Sequence, residues 1–129
     1  ISEDGANLLA RNTPIAFSIT GKNWVNNHAH VLKFKTYVTR RFVELYLNSI
    51  DLSPWISGGA QPKLNQKNLN KIAIPLPVLD EQCRIVAILD RFYALCHNLT
   101  DGLPAEIAAR QRQYDYYRDK LLTFPRKKA

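Results

Sequence analysis

Two kinds of periodicity divide the chain. Between residues 14 and 20, Pro14-Ile15-Ala16-Phe17-Ser18-Ile19-Thr20 alternates apolar and small polar positions and stops at Gly21. A period of two predicts a strand, and the glycine predicts the turn that ends it. Lys22 to Asn27 is polar and turn-rich, and His28 to Lys33 alternates again as a second strand. From Tyr37 to Ile50 the period changes: Val38, Phe42, Leu45, Tyr46 and Ser49-Ile50 recur at helical spacing. Pro54, Gly58, Gly59 and Pro62 mark a loop over Leu52 to Gln61, and Asn65 is placed to cap a short helical turn ending at Leu69. Ile72 to Leu76 reads as a short third strand, closed by Pro75 and Pro77 because proline cannot donate to a ladder.

Beyond Asp80, a plausible helix N-cap, the pattern is helical throughout. Ile85, Ile88, Leu89, Phe92, Leu95, Cys96 and Leu99 follow one another at three and four, which draws one apolar stripe. A second stripe runs through Leu103, Ile107, Tyr114, Tyr117, Leu121 and Phe124. Its members fall into two heptad series, with Arg110 the one polar member, and such patterning is coiled-coil-like. The stripes are out of phase by one residue across Asp101-Gly102, and Pro104 suits a new first turn. A break or kink near Gly102 follows. The expected class is therefore α+β: a partial α/β domain over 1–77, a helical arm over 78–125 and a basic tail over 126–129.

Composition sharpens this picture. The chain has 129 residues, 46% of them hydrophobic, enough to bury a core. It begins at Ile1 and contains no Met, which suggests a fragment or a processed chain. The net charge is +7, a surplus that suits a polyanion. Nine Lys and Arg face four Asp and Glu up to Lys71, against nine and seven afterwards, so the first half holds most of the excess. Cys83 and Cys96 lie thirteen positions apart on one predicted helix, roughly 20 Å at about 1.5 Å per residue, too far for a disulfide. A reducing, cytoplasmic setting follows, with no apolar run long enough to span a membrane.

Few residues offer chemistry. His28 and His30, two apart on a strand, share a face and could hold a metal, but zinc needs more ligands than two; packing or hydrogen bonding is the competing role. Asn23, Asn26 and Asn27 could read adenine edges or simply make turns, with Lys22 beside them as a phosphate contact. In the Gly/Pro-bounded loop, Gln61 and Asn65 could reach base edges while Lys63 and Lys67 bind phosphates, or the loop could merely order the connection. Arg40 and Arg41, at a helix start, are either phosphate contacts or solvated charges. Tyr114 and Tyr117 lie on the stripe and read as packing, and no catalytic constellation is present.

Three segments in order resemble the specificity subunit of type I restriction–modification enzymes: Trp24 to Leu32, Gly59 to Asn65 leading into Ile72 to Pro77, and Glu81 to Asp90 followed by Gly102 to Ile107 and Gln113 to Leu122. The resemblance implies a non-catalytic subunit whose target-recognition domains each read half of a split DNA site, spaced by helices that dock the methyltransferase subunits. On that footing 1–77 is the latter part of one such domain, with Lys22, Asn23, Asn26, Asn27, Arg40, Arg41, Gln61, Lys63, Asn65 and Lys67 toward double-stranded DNA. The arm presents Ile85, Ile88, Phe92, Leu95, Leu99, Ile107, Tyr114, Tyr117 and Leu121 to other subunits, or to a second copy in a homodimer. S-adenosylmethionine, ATP and Mg would serve the methyltransferase and restriction subunits, and no cofactor is expected in this chain. Two other readings remain open: a small metal-dependent nuclease built on His28 and His30, and an oligomerising adaptor that binds no DNA.

Overall fold

Thr36 opens the long helix of the first half. Its backbone is extended, and its side-chain oxygen accepts from the Thr39 amide at 3.1 Å, which satisfies one of the donors a helix start leaves bare. In the computed structural model, which describes residues 1–97 and 104–123, that helix is the second of five. They are α1 (Asn7–Ala10), α2 (Tyr37–Ser49), α3 (Gln66–Leu69), α4 (Leu79–His97) and α5 (Pro104–Leu122), with a 3-10 turn at Ser53–Trp55. Asn65 caps α3 as its spacing predicts, accepting from the Asn68 amide at 2.9 Å. The chain divides into two compact units, Ile1–Ile74 and Pro75–Ala129.

The expected α+β class is overturned. The structure is mostly helical, and among the described residues there is no strand and no sheet, only three isolated antiparallel bridges: Ser2 with Ala29, Asp4 with Lys63, and Ser57 with Lys63. The physical reason lies in who takes the backbone groups. Asn48, on α2, accepts from the Ile15 and Ala16 amides (2.9 and 3.1 Å) and donates to the Ala16 carbonyl (2.7 Å), so one side chain replaces a ladder. Residues 28–30 meet the first residues of the chain through Glu3 N to His28 O and His30 N to Ile1 O, and the pairing stops there. The Ile72 amide bonds back to Leu69, continuing the turn after α3, and Pro75 and Pro77 bring no amide of their own.

In the first unit the core gathers Leu8, Ile15, Phe42, Val43, Leu45, Leu47, Leu52, Leu64 and Leu69. Arg11, itself left-handed (φ 55°) after α1, donates to the Leu47 and Ile50 carbonyls (3.0 and 2.6 Å) and so closes the end of α2. Gly58 has φ +87°, and a Cβ there would collide with the Gln61 carbonyl, so only glycine fits that turn. Asn48→Leu leaves the Ile15 amide and the Ala16 amide and carbonyl without this partner, and is expected to cost about 3 kcal/mol, read as a lower urea midpoint.

In the second unit, α4 begins one residue before Asp80, which therefore sits in the first turn and not at the cap. Gln82, buried, donates to the Pro77 carbonyl at 2.7 Å. The Phe92 and Tyr117 rings stack at 5.5 Å, and Cys96 lies within electrostatic reach of Asp115 and Arg110. Going forward along α4 thus goes backward along α5, so the two helices pair antiparallel, and a single continuous rod is excluded. Gly102 and Leu99 lie outside the described residues, as do 126–129 and the Leu95 side chain. Burial pushes the Cys96 thiol up, Asp115 adds to the shift and Arg110 opposes it.

Candidate nucleic-acid interface

The first unit carries a cavity of about 1040 Å3, walled by Ile1, residues 16–21, 23–26 and 29–37, and the inner face of α2. Asn23, Asn26 and Arg40, picked out in the sequence, line it; so do Lys33 and Lys35, which the sequence reading passed over. Both lysines are exposed and have no ion-pair partner among the described residues. Glu44 is the acidic group on the wall, and its charge is engaged by Arg41 and by the Ser18 hydroxyl at 2.5 Å. Cations therefore outnumber carboxylates on this wall, and Lys33, Lys35 and Arg40 have no ion-pair partner among the described residues.

Each candidate residue has a definite setting. Arg40 donates to the Ile19 carbonyl at 3.3 Å and stands 5.3 Å over the Tyr37 ring; its Nε is buried without a partner. Arg41 turns to Glu44 instead. Asn23 spends its amide donors on the Thr20 and Gly21 carbonyls (2.8 and 3.3 Å), and Asn26 accepts from the His28 amide at 3.1 Å, so both hold their turn. Lys22 and Asn27 are exposed beside them. The loop residues lie elsewhere: none of Gln61, Lys63, Asn65 and Lys67 lines the cavity. Lys63 pairs with Glu3 at 3.2 Å, Asn65 is occupied as a cap, and Gln61 and Lys67 face solvent.

The two histidines have different partners. His28 Nδ1 lies 2.8 Å from Asp4, and His30 Nε2 lies 2.7 Å from the Leu64 carbonyl, with Glu3 at 3.7 Å. No group of three or more metal-binding side chains occurs among the described residues. Acidic partners are close, brought by the first five residues, which sequence spacing could not place there.

On the helix pair, Ile85 and Tyr114 are buried, while Ile88, Phe92, Ile107 and Leu121 are half-buried. Tyr117 stacks on Phe92 and is still exposed at its rim. The stripe foreseen as a subunit interface therefore packs in part within the chain, and Tyr93, Tyr116 and Tyr117 stand exposed. No helix among the described residues is long and apolar enough to cross a membrane.

Comparison with known proteins completes the picture. The pattern of the type I restriction modification DNA specificity domain matches residues 8–109. A putative type I restriction enzyme specificity subunit of Haemophilus influenzae is 41% identical over 126 residues, 95% of this chain and 32% of that protein. A type I restriction enzyme specificity subunit of Escherichia coli is 49% identical over 70 residues, 54% of this chain and 17% of its own length. One from Mycoplasma pneumoniae is 33% identical over 112 residues, 85% of this chain and 34% of that protein. The chain therefore spans about a third or less of these relatives. No solved structure matches it.

Proposed function

This chain belongs to the type I restriction modification DNA specificity family, and we propose that it serves as the DNA-recognition part of such a complex, reading part of a split site without catalysing a reaction. The observation that carries this is the concavity of the first unit, where Lys33, Lys35 and Arg40 share a wall with no free acidic group to answer them among the described residues. Phosphates supply that answer, and contacts to them set the register in which base edges are read. Lys22 and Lys67 extend the phosphate path, while Asn27 and Gln61 present amides to bases.

The paired helices α4 and α5 are the assembly element. Phe92 and Tyr117 fix the pair, and its outer face, with Tyr93 and Tyr116, meets the methyltransferase subunits or a second copy. S-adenosylmethionine, ATP and Mg belong to those other subunits. The two free cysteines suit a cytoplasmic setting. The names of the relatives favour a specificity role over a nuclease, and so do histidines already held by Asp4 and Leu64.

The test is duplex binding by this chain across a salt series. Phosphate-led binding weakens linearly in log–log form, by about 0.9 per contact. Affinity that ignores salt, or no affinity, would move the adaptor reading to the front.

A further inference from the structure

Trp24 is 96% exposed, more than any other large hydrophobic side chain among the described residues. It is held there by its neighbours. On one side Gly21 takes φ +74° and the Asn23 amide ties the Thr20 and Gly21 carbonyls. On the other the Asn26 side chain accepts from the His28 amide at 3.1 Å. With the loop tied on both sides of the indole, Trp24 is kept out in solvent, although an aromatic of this kind buries roughly 200 Å2 wherever it finds a partner. The same concavity sets Phe17 and Tyr37, both exposed, among Lys33, Lys35 and Arg40.

Aromatic faces interleaved with cations are the chemistry that accepts an unstacked base together with its phosphates. An apolar polypeptide would use the rings and leave the unpaired cations stranded against it. We infer that Trp24 stacks on a nucleobase of the DNA held in this concavity, with Lys33 and Lys35 on the flanking phosphates. In a duplex this requires partial unstacking at one base step, as apolar wedges do elsewhere. The inference rests on the DNA-recognition reading and adds to it a residue that senses the base face.

The chain has two tryptophans, so Trp55→Phe leaves Trp24 as the only indole. Three probes are titrated into the full chain: a mixed-sequence duplex, an oligothymidylate of about 20 nucleotides, and heparin, a polyanion without bases. Indole emission should be quenched by both DNAs and left unchanged by bound heparin. Trp24→Ala should weaken oligothymidylate binding about tenfold and spare heparin, whereas Trp24→Phe, which keeps a stacking ring, should stay near wild type. Equal quenching by heparin, or a Trp24→Ala variant that binds DNA as well as wild type, overturns the stacking and leaves the DNA-recognition reading standing. Failure of every DNA probe to bind overturns both. An oligomer that Trp24→Ala dissolves assigns the ring to a second copy of the chain, and overturns the inference as well.

Discussion

Replacing Lys33 and Lys35 together by alanine is expected to lower affinity for duplex DNA about 60-fold at roughly 0.1 M salt, and hardly at all near 1 M. The figure follows from counterion release. Each phosphate contact contributes about 0.9 to the slope of log affinity against log salt, so two lost contacts remove about 1.8. These lysines are the right pair to lose because both are exposed on the concave wall and neither has an ion-pair partner among the described residues. Lys63 differs, since a phosphate must first displace Glu3 from it. Its alanine variant should therefore cost less than either cavity lysine. Lys120, on α5, stands over the Tyr116 ring and should have no effect when replaced. If Lys67→Ala and Gln61→Ala were costly and the cavity pair silent, the interface would be the 61–67 loop and the concavity would have another use.

The helices from α2 onward were legible in the sequence; α1 and the first half's architecture were not. Thr36, Asn65 and the three-and-four spacing beyond Asp80 act locally, within one turn of chain, so pattern alone places α2, α3, α4 and α5. Alternation at 14–20 and 28–33 also acts locally, but a ladder needs a second strand in register, and alternation does not say whether one exists. Here the Ile15 amide and the Ala16 amide and carbonyl go to Asn48, thirty-three and thirty-two residues away, and nothing about Asn48 as one polar residue in an amphipathic helix announces it. The first five residues were equally opaque. They hold the histidines and Lys63 through Glu3 and Asp4, which turns apparent metal ligands and an apparent phosphate contact into partners of those two carboxylates.

The candidate site shows the same division. Lys33 and Lys35 are spaced by two, a signal that both could share one face. The second predicted strand ended at Lys33, so the pair was split across its boundary and passed over. Asn23 and Asn26 were weighed between turn and base, and both side chains hydrogen-bond within their turn. Two amides so placed flank Trp24 in the same loop.

Leu89→Asp should remove the helix pair altogether. Leu89 is fully buried on α4, and a carboxylate cannot ionise there without a partner, so the variant either keeps an uncompensated charge or opens the packing. Helices of 19 residues, as α4 and α5 are, draw most of their stability in water from packing and little from propensity. The expected loss is at least about 4 kcal/mol, seen as a fall in far-ultraviolet helical signal. Arg84→Ala, on the same helix and paired with Glu81 at the surface, should leave the helical signal and the urea midpoint essentially unchanged. The contrast matters for assembly. If α4 and α5 dock a methyltransferase subunit as a preformed pair, Leu89→Asp abolishes co-purification with it and Arg84→Ala does not. A complex that survives Leu89→Asp with the helical signal gone would show that docking does not need the pair, and that the helices are held together for some other purpose.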